Sequence, residues 1–336
     1  MAFSLAPIES EKIWEAFLLK NSPGALFQSW LWGEVQSKLG VPLWRYGVYH
    51  GTTLVGLAQI IKVTARRGPF LQIRHGPVFD RQDKERWKWF LGEVKALAKD
   101  QGAWFVRLNP LIENSSSNQA MFGSLGLMPA AIHAMDAEYA WVLDLNKTES
   151  ELLAAMRKTT RYEIKHAQAL GVQIEKSTDP NKLAVFFDLY RETAKRQGFV
   201  EHKGIQEEFA IFAREEKAVL FTARLRDQIH AAAIILFVGH QGIYHHSAST
   251  PSSVGVNYLL QWEAICEAKK RGMNVYNFWG IAPNDSLRHP WRGITLFKTG
   301  FGGRLQEYIH AHDLPVSPFY GVPRLIESWR RWRKGY

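Results

Sequence analysis

The order hairpin, long helix, strand occurs twice along this chain, and such a repeat restricts the fold more than any single motif does. In the first half, positions 44–49 and 54–63 alternate apolar and polar residues around His50-Gly51-Thr52, which reads as two strands joined by a tight turn. A helix is expected over 80–100 and a strand over 104–108, with helices at 9–20 and 28–39 ahead of them and strands at 127–133 and 139–145 behind. In the second half, helices are expected at 149–169 and 181–197, then a hairpin of 218–225 and 230–237 turning at Arg226-Asp227-Gln228. A strand at 242–247 and a helix at 258–271 follow. This pattern suits two similar α/β units in tandem better than one large sheet. The length agrees, since 336 residues are too many for one average domain and too few for three.

Between expected strands at 275–278 and 305–311 lies an unusual segment. It runs Phe278-Trp279-Gly280-Ile281, His289-Pro290-Trp291-Arg292-Gly293, then Leu296-Phe297-Lys298-Thr299-Gly300-Phe301-Gly302-Gly303-Arg304. Glycine permits close backbone approach or positive φ, and a lysine is costly to bury without an anionic partner. The segment reads as a site with Lys298 at its centre; the plainer alternative is a solvated lysine on a strand edge. His245 and His246 fall on an expected strand, where histidines more often pack than react.

Forty-two Lys and Arg against 32 Asp and Glu leave a net charge of +10, which favours polyanionic partners such as RNA, an anionic membrane or a phosphorylated substrate. Arg157, Arg161 and Lys165 recur every four residues on the expected helix, with Lys158 beside them, so they would share one face that repels itself unless a polyanion is present. A merely solvated face is the competing reading. The tail from Pro323 to Lys334 mixes Trp329 and Trp332 with five basic residues and one acidic one. Trp329, Arg330, Arg331 and Trp332 suit an anionic membrane interface, with Leu325, Ile326 and Trp329 expected to turn inward. Cys266 is the single cysteine, so no intramolecular disulfide or cysteine-rich metal site is expected. The N-terminus lacks the pattern of a signal peptide, and the longest apolar run, 231–238, is far short of the roughly 18–20 residues that span a bilayer. A cytoplasmic protein, peripheral on the inner face of the membrane at most, is expected.

Three elements carry a family resemblance: Phe27-Gln28-Ser29-Trp30-Leu31-Trp32-Gly33, the basic stretch Met156-Arg157-Lys158-Thr159-Thr160-Arg161-Tyr162-Glu163-Ile164, and Phe278-Trp279-Gly280 with Phe297-Lys298-Thr299-Gly300-Phe301-Gly302-Gly303. In that order the chain resembles the FemABX aminoacyltransferases, which move an amino acid from aminoacyl-tRNA to the stem peptide of a peptidoglycan precursor. The resemblance implies an α/β (α+β) fold of two tandem GNAT-like acyltransferase domains. The first would comprise 1–145 plus a returning C-terminal segment at 314–336, the second 146–313, with no coiled-coil arm. It implies a catalytic Lys298 near the tRNA acceptor end, supported by stacking of Phe297. Lys38, Lys203 and Tyr258 would bind the precursor, either UDP-MurNAc-pentapeptide or lipid II. No cofactor or metal is implied, and a monomer is expected.

Some relatives carry an acid where this chain has Asn109, which cannot act as a base; substrate-assisted proton transfer, Asp285 or Glu307 remain as alternatives. An acyl-CoA N-acyltransferase is the first rival. Its pyrophosphate loop at a helix start is matched only by Gln168-Ala169-Leu170-Gly171-Val172-Gln173, which fails at its last position and lies at a helix end. The second rival, a non-catalytic RNA- or membrane-binding protein, accounts for the charge and not for Lys298.

Overall fold

A computed structural model describes residues 2–252, 254–283 and 289–334. The chain forms two units, Met1–Tyr139 with Gln306–Tyr336 and Ala140–Leu305. The first begins with β1 (Phe3–Pro7), α1 (Glu11–Asn21), α2 (Trp30–Lys38), β2 (Leu43–His50), β3 (Thr53–Ala65) and β4 (Gly68–His75). It continues through β5 (Val78–Phe79), α3 (Lys84–Asp100), β6 (Phe105–Pro110), α4 (Ser116–Ser124) and β7 (Met128–Pro129). The second carries β8 (Tyr139–Asp144), α5 (Glu149–Ala155), α6 (Lys158–Ala169), β9 (Gln173–Ser177), α7 (Leu183–Gln197), α8 (Ile205–Arg214) and β10 (Ala218–Leu225). It ends with β11 (Gln228–Val238), β12 (Gln241–Ser249), α9 (Val256–Lys270), β13 (Val275–Gly280), α10 (Arg292–Thr299) and β14 (Arg304–Glu307), after which β15 (His312–Pro315) and α11 (Gly321–Lys334) return to the first unit.

Each unit is built on one sheet, ordered β1-β2-β3-β4-β6-β15-β7 with β5 beside β3, and β14-β8-β13-β12-β11-β10-β9. The repeat seen in the sequence has a structural counterpart. In the first sheet β4 and β6 are parallel, joined across α3; in the second β12 and β13 are parallel, joined across α9. A parallel pair requires such a crossover, and a helix with an apolar stripe supplies it. Helix α3 starts where the Asp83 carboxylate accepts from the Arg86 amide at 2.9 Å, and it buries Trp87, Phe90, Leu91 and Val94 in one cluster with Leu71, Ile73, Val106 and Leu108. Helix α9 does likewise with Leu259, Leu260 and Ile265, clustered with Phe221, Ile235 and Tyr276.

The observed division differs from the expected one at both joints. Strand β8, expected to close the first unit, pairs antiparallel with β13 (Val275↔Asp144, Tyr276↔Leu143) and so belongs to the second sheet. The returning segment begins at Gln306 rather than 314, and the strand expected over 305–311 ends early, as β14 at Glu307, with β15 starting only at His312. The helix expected over 149–169 breaks at Arg157, whose ψ of 142° is extended.

The return is anchored by charge. Arg107 on β6 donates to Asp313 on β15 (Nε to Oδ1, 2.7 Å) and to Glu327 on α11 (Nη2 to Oε2, 2.7 Å), all three buried. Glu327 and Pro323 therefore set the inward face of α11. Leu325, Trp329 and Trp332 are left 74%, 55% and 79% exposed, so the expectation that Leu325 and Trp329 turn inward is wrong. An ion pair, rather than the tryptophans, decides how the helix is rotated. Among the described residues no helix is long and apolar enough to cross a membrane.

Candidate active site

Strands β12 and β13 are paired only over Gln241–Ile243 and Val275–Asn277. Beyond that β12 continues without β13, and their carboxyl ends part, which is where open α/β sheets accept ligands. At the parting point Trp279 has φ 67°, sparsely populated for a bulky residue. The pairing of β13 with β8 is irregular between Asn277 and Gly280, and the Asn277 side chain holds the Trp279 amide at 2.8 Å. The Gly280 carbonyl, the next along, accepts from Lys298 Nζ at 2.6 Å.

Lys298 lies on α10, not between strands or on a strand edge, and is only 4% exposed. Among the described residues it forms no ion pair with a carboxylate, and the Tyr244 ring centroid is 5.9 Å from its Nζ. Burial lowers its pKa to about 7 from 10.5. A lysine kept in this state readily gains from an anion brought to it.

Phe297 does not stack on Lys298, because neighbours in sequence on a helix do not face each other. Its ring packs edge-on against Tyr258 (4.9 Å) and Phe301 (5.3 Å), and so seats α10 on α9. Tyr258 is thereby brought into the Lys298 neighbourhood as packing beneath the helix. The segment's glycines have local causes. Gly303 has φ 99° and a Cβ there would meet the Val142 carbonyl; at Gly300 it would meet the Thr160 hydroxyl.

Arg157 stands just outside α6 and shares no helical face with Arg161 and Lys165. Its amide donates to Gly300 O (2.8 Å), and its guanidinium to Leu296 O and Thr299 Oγ1 (each 3.2 Å), at the C-terminus of α10. Arg161 donates to Ala154 O and Met156 O, at the end of α5. Both cations thus serve the negative ends of helices, which removes the need for a polyanion to relieve them. Lys165 remains exposed.

Lys203 is exposed in the loop before α8, next to His202, whose ring centroid is 5.7 Å from that of His246. His246 and His245 both approach the buried carboxylate of Glu208, an arrangement that the reading of these histidines as packing did not foresee. Lys38 ends α2 in the first unit, exposed.

In the first unit Asn109 Nδ2 donates to Asp136 Oδ2 at 3.1 Å, so a carboxylate does stand at this position, supplied from a loop. Despite its burial, Asp136 is held below the usual carboxylate range by Arg74, which grips both its oxygens, and it makes a poor base. Glu307 accepts from Asn114 Nδ2 at 2.5 Å, and Asp285 lies outside the described residues. Cys266 is unsuited to nucleophilic work, since burial pushes its thiol up to about 12.

Two sheets, each with a parallel pair joined across a crossover helix, and in the second a pair whose carboxyl ends part, define a tandem acyltransferase-like α/β protein of the GNAT type. The fold matches the crystal structure of FemX with a TM-score of 0.82 and 19% identity over 96% of this chain and all of that one. It also matches a tandem GNAT protein from the clavulanic acid biosynthesis pathway with a TM-score of 0.61 and 11% identity, over 94% of this chain and 99% of the other. A lipid II:glycine glycyltransferase of Staphylococcus epidermidis is 20% identical over 94% of this chain and 95% of its own. The sequence model of the FemAB family matches residues 10–205 and 201–328, and the chain belongs to that family.

Proposed function

We propose that this protein is an aminoacyltransferase that moves an amino acid from aminoacyl-tRNA to the stem-peptide amine of a peptidoglycan precursor, with lipid II as the acceptor. The observation that carries this reading is Lys298, buried at the parting of β12 and β13 with a backbone carbonyl as its hydrogen-bond partner. The aminoacyl ester of tRNA is already activated. The acceptor amine attacks its carbonyl, the amide C–N bond forms, the ester C–O bond breaks, and the tRNA 3′-hydroxyl leaves with a proton. Such a reaction needs positioning and stabilisation of the oxyanion rather than a covalent enzyme intermediate. The ammonium of Lys298 meets the oxyanion or an acceptor-end phosphate, while Phe297 and Tyr258 hold its helix from below and Arg157 from its end. Lys203 and Lys38 act as exposed cations toward the precursor's phosphates.

A lipid-linked acceptor brings the protein to the cytoplasmic membrane surface, and α11 is suited to it. Val322, Leu325, Trp329 and Trp332 recur at helical spacing and are all exposed, beside Arg330, Arg331 and Arg333. The test is transfer of a labelled amino acid from charged tRNA to lipid II by wild type and by Lys298→Met. Transfer that requires acyl-CoA instead of tRNA, or is unaffected by the substitution, would reject the reading.

A further inference from the structure

The buried carboxylate of Glu208 has unusual company. Its Oε1 lies 3.2 Å from His245 Nε2 and its Oε2 3.1 Å from His246 Nε2, and among the described residues no lysine or arginine pairs with it. Buried acids ordinarily take such a cation. Two adjacent histidines on a regular strand would point to opposite faces of the sheet. Here the register steps from Ile234↔His246 to Ile235↔Tyr244, so His245 is the extra residue of a β-bulge and both imidazoles turn toward α8.

The geometry points to a metal site: we propose that Glu208, His245 and His246 bind a divalent first-row cation, zinc in the first instance. Two imidazole nitrogens and one carboxylate oxygen are the donor set of open, three-ligand zinc sites, whose fourth position is left for water or substrate. Bonds of about 2.0–2.2 Å space tetrahedral ligands about 3.4 Å apart. The two nitrogen–oxygen separations are already near that value, and all three candidate ligand atoms lie within 4.8 Å of one another. The site borders the candidate active site, because the His245 ring stands edge-on to Trp279 with centroids 5.3 Å apart. A cation here would fix the bulge of β12 beside the residue that turns Gly280 toward Lys298.

The test is independent of transfer activity. Untagged protein, stripped with chelator and equilibrated with zinc, should retain about one equivalent through gel filtration, and cobalt in its place should give the intense visible bands of a tetrahedral site. Glu208→Gln and His246→Ala should each weaken binding by more than the roughly 10- to 100-fold that loss of an outer-shell partner costs. Retention of no zinc by the wild type would overturn the proposal whatever the variants do, leaving Glu208 as a hydrogen-bonding hub alone. Unchanged binding in folded variants, or sulfur scattering from Cys266 at the zinc edge, would overturn it equally.

Discussion

Replacing Lys298 with methionine should separate stability from activity in opposite directions. The side chain is buried, its pKa is drawn from 10.5 to about 7, and burial is the cause. The folded chain therefore binds fewer protons than the unfolded one between about pH 7 and 10.5, and stability rises with pH across that window. Below it, the folded protein carries a buried ammonium. Each tenfold loss of proton affinity is worth about 1.4 kcal/mol, so the cost of that charge reaches roughly 4–5 kcal/mol. Methionine has similar length and no charge, so Lys298→Met should raise unfolding free energy by up to that amount at pH 6, and by progressively less as pH approaches 10. Urea denaturation of wild type and variant at a series of pH values measures this directly. Transfer from charged tRNA should meanwhile fall about 10²- to 10³-fold, the usual loss when one preorganised oxyanion donor is removed. A variant that is less stable at pH 6 than the wild type would show that the lysine is structural. A variant that keeps its transfer rate would show that it is not catalytic.

Arg157→Ala removes the guanidinium from the end of α10; it should cost about 1 kcal/mol of stability and lower the maximal transfer rate with little change in precursor affinity, readable by steady-state kinetics. Glu327→Gln leaves the buried Arg107 with one carboxylate fewer and should cost roughly 3–5 kcal/mol in chemical denaturation, with α11 becoming protease-sensitive first. Changing Trp329 and Trp332 together to serine should reduce cosedimentation with anionic vesicles tenfold or more, since each inserted side chain is worth about 1.5–3 kcal/mol, and leave binding to a soluble precursor untouched. Equal sedimentation of the two proteins would remove α11 from the membrane.

Periodicity and turn residues were enough to reveal the tandem α/β architecture. Strands β10 and β11 and helix α9 lie close to their expected positions because alternation and helical spacing are local properties of the chain. Lys298 was also legible, as a lysine among glycines and aromatics, although its helix was not: the glycines around it, read as permitting close backbone approach or positive φ, weaken a helical pattern, and packing of Phe297 on Tyr258 and Phe301 holds the helix in place. Three matters were decided only by contacts remote in sequence. Asp313 and Glu327 rotate α11 through Arg107, more than 200 positions away, which reverses the expected facing of Leu325 and Trp329. The break at Arg157 redirects a cation expected to meet a polyanion onto the carbonyls of α10. The bulge at His245 gathers two histidines on one glutamate 37 residues earlier. Local preferences determine which elements form; ion pairs, register steps and helix termini determine which way their side chains face, and the chemistry of this protein depends on that facing.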